Sequence, residues 1–139
     1  MDRSAIEALI PHRAPFLWID EILELEPGVR CVARKVVDPG EPFFSGHFPG
    51  RAITPGVFLI EAVAQTAGVM MASAVAIAAD TTPMLAAVNR FKFLKPVAPG
   101  AVLRVETRKL TEAGPMALIE GSVSVLDELV AKGELSVAG

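Results

Sequence analysis

The sequence predicts an α+β domain in which a mostly antiparallel sheet wraps around one long central helix. Its predicted elements are a short helix, two strands, a long helix and about four more strands, which is not the βαβ alternation of a parallel sheet. The long helix is apolar nearly all round, and such a helix is buried on most of its sides. The 139 residues contain no repeat or linker, so we expect one domain over residues 1–139.

The first part of the chain is predicted to form a helix and a β-hairpin. Ser4 can cap the helix and Pro11 ends it. Apolar residues dominate the first predicted strand, and Glu26-Pro27-Gly28 is a turn signal. The expected elements are a helix over residues 4–10 and strands over residues 16–25 and 29–37.

A loop rich in glycine and proline, residues 41–54, precedes the long helix. Thr54 and Pro55 are typical of an N-cap and a first helical position, and the helix is expected to reach about Ala78. Alternating apolar residues then predict four strands separated by turns. These strands are expected over residues 84–93, 101–110, 116–126 and 129–137.

The composition limits the possible functions. Hydrophobic residues make up 52% of this small chain, so burial against a second copy is expected. A net charge of −3 and the lack of an Arg/Lys run disfavour nucleic-acid binding. The longest apolar stretch contains Glu61, which favours burial in protein over a membrane span. The single cysteine, Cys31, precludes an intramolecular disulfide, is expected to be inert and suits the cytoplasm.

His47 is the first candidate for chemistry, because Gly46, Pro49 and Gly50 would hold its imidazole in a stiff loop. An imidazole can accept or donate a proton near neutral pH, as a general base does. The alternative is a histidine that only hydrogen-bonds a neighbouring carbonyl. His12, in a turn between prolines, is interpreted as structural.

Glu61 is the second candidate, an acid among apolar residues of the long helix. Gln65 and Gly68 follow at the fourth and seventh positions, so the three share one stripe suited to lining a cleft. The alternative is a buried glutamate paired with Arg51 or Arg90. Near the helix start, the N–H of Gly56 could polarise a carbonyl oxygen together with the helix dipole.

These segments resemble the β-hydroxyacyl-acyl carrier protein dehydratases of bacterial fatty-acid synthesis, which have the hotdog fold. The likeness runs through nearly the whole chain in order. The matching segments are residues 10–17 (IPHRAPFL) with Asp20, residues 41–51 (EPFFSGHFPGR), residues 55–57 (PGV), residues 60–65 (IEAVAQ), residues 93–97 (FLKPV) and residues 99–100 (PG).

The resemblance implies elimination of water from a (3R)-hydroxyacyl thioester to give the trans-2-enoyl thioester, in fatty-acid or polyketide and polyene synthesis. His47 would be the catalytic base and acid, and Glu61 its partner from the other subunit of a homodimer. Gly56 would hold the thioester carbonyl, and Gln65, Phe48 and Val57 would line the substrate site.

The resemblance also implies a partner and an assembly. The substrate would arrive on the phosphopantetheine of acyl carrier protein, with no cofactor or metal of the enzyme's own. A trimer of dimers is the assembly common in the family. A glutamate at position 61 is typical of the branch that does not isomerise the double bond.

The chain departs from the family in two segments. The family often has a gating tyrosine near Met84, and this chain has no tyrosine, so Met84 or Leu85 is expected to replace it. The basic strand of the family reads here VNRFKF, over residues 88–93. Two other functions stay open from the sequence: a hotdog thioesterase, and a non-catalytic subunit that binds acyl carrier protein or an acyl chain.

Overall fold

The computed structural model describes residues 1–75 and 84–138, in which a six-stranded antiparallel sheet packs against one long helix. This confirms the predicted α+β class and the predicted order of elements. In chain order they are α1 (Arg3–Leu9), β1 (Glu21–Glu26), β2 (Arg30–Val36), a 3-10 turn (Pro42–Ser45), α2 (Gly56–Ala72), β3 (Met84–Phe93), β4 (Val102–Ala113), β5 (Met116–Val125) and β6 (Glu128–Ala138).

The strands lie in the order β1-β2-β4-β5-β6-β3, so β1 and β3 form the two edges. Side chains alternate across the sheet as strand geometry requires. On β4, Leu103, Val105 and Thr107 are buried toward α2, whereas Arg104 and Arg108 are exposed on the opposite face. One face of the sheet therefore forms the core with α2, and the other carries charge.

The helix packs closely against the sheet at Gly121 of β5. An ideal Cβ built on Gly121 would overlap Val63 Cγ1 of α2, which is fully buried. The missing side chain therefore sets the distance between α2 and the middle of the sheet.

Two predictions for the first twenty residues were wrong. The cap of α1 is Asp2, whose Oδ1 accepts a hydrogen bond from Ala5 N at 3.0 Å, so the helix starts before Ser4. Residues 16–19 are not a strand, and β1 begins only at Glu21. The backbone of this apolar segment is instead hydrogen-bonded to Arg13 O and to the side chain of Gln65, which leaves less of it for strand pairing.

Both predicted ends of the long helix were also wrong. Pro55, not Thr54, is the N-cap residue of α2. The Thr54 amide bonds Val97 O at 2.8 Å, and its buried hydroxyl has no hydrogen-bond partner among the described residues. The helix ends at Ala72, because the Met70 carbonyl accepts hydrogen bonds from Ser73 Oγ and Gly28 N. The predicted continuation over residues 76–78 and the closing turn before residue 84 lie outside the described residues.

The four strands predicted after the long helix are present as β3 to β6, and the pairing of β4 with β5 is longer than predicted. The predicted turn over residues 112–115 is wrong at its first two positions, because β4 reaches Ala113 and β5 begins at Met116. Gly114, at φ +59°, lets a two-residue turn join the strands, so pairing extends farther than expected.

Large apolar side chains are exposed around the edge strand β3. Isolated exposed apolar residues are common, but a contiguous group marks an interaction surface. Those on β3 or just after it are Met84, Leu85, Val88, Phe93 and Leu94. None of the described helices is long and apolar enough to cross a membrane.

We predict that Gly121→Ala destabilises the fold by about 1–3 kcal/mol, because the added methyl group would overlap Val63 in a well-packed core. Chemical denaturation at a fixed protein concentration measures this change.

The matched control is Gly46→Ala, because a methyl group there meets only ordinary contact distances, the nearest being 3.9 Å to Phe43 O. It should change the unfolding free energy by less than about 0.5 kcal/mol. Equal effects of the two variants would contradict the close approach at Gly121.

Candidate active site

A largely apolar pocket of about 480 Å³ opens at the start of α2. It lies between the loop before α2, the first turns of that helix and the segment that follows β3. The lining residues are His47, Ile53, Thr54, Gly56, Val57, Leu59, Ile60, Phe93, Leu94, Lys95, Pro96 and Val97. Three predicted site residues, His47, Gly56 and Val57, therefore lie in one pocket, whereas Glu61, Gln65 and Phe48 do not line it.

The loop holds His47 by both its backbone and its ring. His47 N donates to Phe43 O at 3.0 Å, and His47 O accepts from Ile53 N at 3.0 Å. The imidazole stacks on Phe48, with ring centroids 4.0 Å apart. Phe48 therefore supports the base from its side of the loop.

The ring of His47 has a defined tautomer. Its Nδ1 lies 2.8 Å from Ile53 O, and a carbonyl oxygen can only accept, so Nδ1 carries the hydrogen. In the neutral imidazole, Nε2 is then an unprotonated nitrogen. The sequence left open that His47 only hydrogen-bonds a neighbouring carbonyl, and this hydrogen bond is present. It does not exclude chemistry, because it leaves Nε2 able to accept a proton.

Aromatic packing ties this loop to α2. Phe43, Trp18 and Phe58 contact one another, with ring centroids 5.8 Å apart for Phe43 and Trp18, 4.7 Å for Phe43 and Phe58, and 4.8 Å for Trp18 and Phe58. The Lys35 ammonium lies 4.3 Å from the Trp18 ring. The position of His47 thus depends on a cluster that includes the first turn of the helix.

The start of α2 presents backbone N–H groups to the pocket. The first four N–H groups of a helix have no intrahelical acceptor, and the helix dipole adds partial positive charge there. Gly56 lines the pocket and faces the Phe93 ring, since a Cβ on it would lie 2.8 Å from Phe93 Cε1. A bare backbone at this position leaves room for the aromatic ring beside the first turn of the helix.

Glu61 lies farther along α2, with 22% of its side chain exposed. Its Oε2 accepts a hydrogen bond from Gln65 Nε2 at 2.9 Å and lies 3.7 Å from His12 Nε2. Neither Arg51 nor Arg90 comes within 4 Å of this carboxylate, so the predicted alternative of a buried arginine pair is absent. The closest basic group is His12, which the sequence alone assigned to a structural role.

Gln65 is 1% exposed, and both ends of its amide are hydrogen-bonded to protein atoms. Oε1 accepts from Trp18 N at 2.7 Å, while Nε2 donates to Phe16 O at 2.9 Å as well as to Glu61. Glu61 and Gln65 therefore lie on one stripe of the helix as predicted, but the stripe is not suited to lining a cleft. Gln65 is buried, and a Cβ on the buried Gly68 would lie 3.2 Å from Ile10. In this chain the Gln65 amide acts on Glu61 and on residues 16–18.

His47 and Glu61 are not in contact within a single chain. No ring nitrogen of His47 lies within 4 Å of the Glu61 carboxylate, and Glu61 does not line the pocket that contains His47. Each chain therefore carries the parts of a site at two separate places.

Other predicted residues are peripheral to this chemistry. Cys31 is fully buried, and desolvation raises the pKa of its thiol to about 12, which makes it a poor nucleophile. Met84 and Leu85 are exposed at the start of β3 and do not line the pocket. Among residues 1–75 and 84–138, no group of three His, Cys, Asp or Glu side chains forms a metal-binding arrangement.

Comparison with known sequences identifies one family. The model of the FabA-like domain matches residues 10–134. A relative from Roseiflexus sp. (strain RS-1), named 3-hydroxyacyl-[acyl-carrier-protein] dehydratase FabZ, is 46% identical over 96% of this chain and 92% of its own length. A relative with the same name from Geotalea uraniireducens (strain Rf4) is 42% identical over 97% of this chain and 94% of its own length.

Comparison with solved structures confirms the hotdog fold. The dehydratase heterocomplex ApeI:P from Xenorhabdus doucetiae matches with a TM-score of 0.76 at 19% identity, over 96% of this chain and 89% of that one. A variant of the phenylacetic acid degradation protein PaaI from Thermus thermophilus matches with a TM-score of 0.64 at 16% identity, over 97% of each chain. At these identities the likeness concerns the fold alone.

We predict that Gln65→Leu destabilises the protein by about 1–3 kcal/mol, because it leaves the buried Trp18 N–H without an acceptor in a site of similar volume. Denaturation at a fixed protein concentration measures the loss.

The control is Thr66→Val in the same buried helix, because the Thr66 hydroxyl bonds only Ala62 O within that helix. It should cost less than about 1 kcal/mol. A Gln65→Leu variant as stable as this control would refute the role of the amide.

Proposed function

The chain belongs to the FabA-like family, and we propose that it is a 3-hydroxyacyl-[acyl-carrier-protein] dehydratase, the enzyme for which its relatives are named. The observation that carries the mechanism is the His47 ring, whose Nδ1 is bonded to Ile53 O and whose Nε2 is left to accept a proton. The ring lies in an apolar pocket that also contains Gly56, at the N-terminus of a helix.

The reaction removes a proton and a hydroxyl group from adjacent carbons. His47 Nε2 takes the proton from the carbon next to the thioester carbonyl, and the electron pair of that bond passes toward the carbonyl oxygen. The N–H of Gly56 and the helix dipole stabilise the negative charge on this oxygen. The electrons then form the carbon–carbon double bond as the hydroxyl on the next carbon leaves.

Glu61 assists the leaving hydroxyl. Its Oε2 is bonded to Gln65, whereas Oε1 has no hydrogen-bond partner among the described residues. This free oxygen is available to the 3-hydroxyl group, which departs as water once it receives a proton from Glu61 or from the protonated His47. The products are water and the enoyl thioester, so atoms and charge balance without a cofactor or metal.

The complete site is shared between two subunits of a homodimer. His47 and Glu61 of one chain are not within 4 Å of each other, and the exposed apolar residues of β3 supply a surface for a second copy. Such a copy would bring its Glu61 toward the pocket that contains His47. A trimer of such dimers stays a prediction.

The substrate arrives on the phosphopantetheine of acyl carrier protein, and the acyl chain lies along the apolar side of α2 near Val57. Arg90 and Lys92 belong to the strand that leads to the pocket, so positive charge is available for an anionic carrier. Lys95 lies at the pocket itself, where its ammonium is paired with Glu128. A carrier-bound substrate and a lone buried cysteine favour a cytoplasmic enzyme. No contact among the described residues specifically favours the thioesterase or the binding subunit.

We predict that the purified protein converts a carrier-bound 3-hydroxyacyl thioester to the enoyl thioester. His47→Ala should lower the turnover by about 10²–10⁴-fold, since it removes the general base, while the fold is retained. Mass spectrometry of the acyl carrier protein distinguishes the two acyl forms by the mass of one water.

A free acid as the product would instead indicate a thioesterase, and tight binding without turnover would indicate a binding subunit. Unchanged turnover of His47→Ala would exclude His47 as the base.

We predict that two inactive variants restore activity when they are combined. In a mixed dimer of His47→Ala and Glu61→Gln, one site receives the intact His47 of one subunit and the intact Glu61 of the other. With random pairing of equal amounts, about half of the dimers are mixed and each has one intact site, so about one quarter of wild-type activity should return.

Co-expression with two affinity tags isolates the mixed dimer, and because one of its two sites is intact, about one half of the wild-type activity per dimer is expected of it. A mixed dimer that is as inactive as its parents would show that each site is built within one chain.

A further inference from the structure

Glu61 has a second polar neighbour besides Gln65. His12, in the turn between α1 and β1, places its Nε2 3.7 Å from Glu61 Oε2. About three quarters of each side chain is buried, with 25% of His12 and 22% of Glu61 exposed. Screening by water is reduced in such a place, so an imidazole and a carboxyl group interact there more strongly than at the surface.

We propose that His12 is a positioning residue, which holds the Glu61 carboxyl group in its productive orientation. This inference rests on the proposed dehydratase function and adds a role that the sequence had not indicated. His12 does not line the pocket of His47, so it acts through Glu61.

The two neighbours of Glu61 approach the same oxygen. Gln65 Nε2 donates to Oε2 at 2.9 Å, and His12 approaches that oxygen from the turn before β1. Gln65 holds Oε2 by a hydrogen bond, and the imidazole at 3.7 Å, which is longer than a hydrogen bond, adds an electrostatic contact from the other side. Rotation of the carboxyl group is thereby restricted, and Oε1 stays directed away from both neighbours. Catalysis by a positioned acid depends on this kind of restriction, because a small displacement of the reacting group costs rate.

The surroundings of His12 favour one tautomer. Its Nδ1 is buried and has no hydrogen-bond partner among the described residues. A hydrogen on Nδ1 would be unsatisfied, and the bare Nε2 would then face the Glu61 carboxylate with its lone pair. A hydrogen on Nε2 instead brings its partial positive charge toward the carboxyl oxygen, 3.7 Å away, so this tautomer has the lower energy.

The turn that carries His12 is held rigidly. The Arg13 guanidinium donates to Ile10 O at 2.9 Å, to His12 O at 2.8 Å and to Glu7 O at 3.0 Å. The His12 ring stacks on Phe16, with centroids 6.4 Å apart.

Gln65 connects this turn to the acid. Its Nε2 donates both to Phe16 O and to Glu61 Oε2, at 2.9 Å each. Gln65 therefore bonds Glu61 and also fixes the segment next to His12. This keeps the imidazole and the carboxyl group at a constant distance from each other.

Three substitutions of His12 separate positioning from packing. His12→Gln places an amide nitrogen at a reach similar to that of Nε2, whereas the amide of His12→Asn reaches only the position of Nδ1. His12→Phe keeps the ring and its stack on Phe16 but has no donor. Turnover and KM are measured with a carrier-bound 3-hydroxyacyl thioester, and thermal unfolding at a fixed protein concentration reports on folding.

We expect His12→Phe and His12→Asn to lower kcat by about tenfold or more, because Glu61 loses one of the two contacts that orient its carboxyl group, with KM within about twofold. His12→Gln should retain kcat within about threefold of the wild type, because its donor still reaches Glu61. The three variants should unfold at similar temperatures.

Wild-type kcat in His12→Phe would overturn the proposal, because the ring would then act by packing alone. Equal losses in His12→Gln and His12→Asn would also overturn it, since a donor at the reach of Nε2 would bring no benefit. Failure of the proposed function has a different signature, namely a wild-type protein that forms no enoyl product.

Discussion

The packing of α2 against the sheet is the constraint on which the other features depend. The helix is apolar nearly all round, and its contact with β5 is so close that Gly121 has no room for a side chain beside Val63. Once this contact fixes the rotation of α2, the helical period sets the directions of Gly56, Glu61 and Gln65. The orientation of the candidate site residues therefore depends on the contact between Val63 and Gly121, neither of which belongs to the site.

The Gln65 amide transmits that constraint to the rest of the site. A buried amide is costly unless its polar atoms are bonded, and those of Gln65 bond the backbone at residues 16 and 18 and the carboxyl group of Glu61. Polar groups of this kind accept few alternative arrangements. The hydrogen bonds of Gln65 thus offset the cost of burying its amide, and they fix the positions of the N-terminal turn and of Glu61 relative to the helix.

The sequence predicted those parts of the structure that depend on local patterns. Alternating apolar residues identified β4, β5 and β6. The loop and helix motifs singled out His47 and Gly56, which line one pocket, and Glu61, whose role stays a prediction. The errors arose where distant residues decide the local structure. Residues 16–19 look like a strand, but their backbone bonds a side chain 47–49 positions later in the chain. The contact of His12 with Glu61 could not be predicted for the same reason, because the two residues are distant in sequence and adjacent only in the fold.

Association with a second copy would account for two features of the single chain, the separation of His47 from Glu61 and the exposed apolar residues of β3. An imidazole prepared to accept a proton lies in one pocket while its acid lies elsewhere, and large apolar side chains along β3 remain exposed to water. Burial of the apolar edge against a second copy is favourable in itself. If that association also brings Glu61 of one copy to His47 of the other, the energy that assembles the dimer is the energy that assembles the catalytic pair. A change on β3 that weakens association would then reduce activity without touching a reacting group.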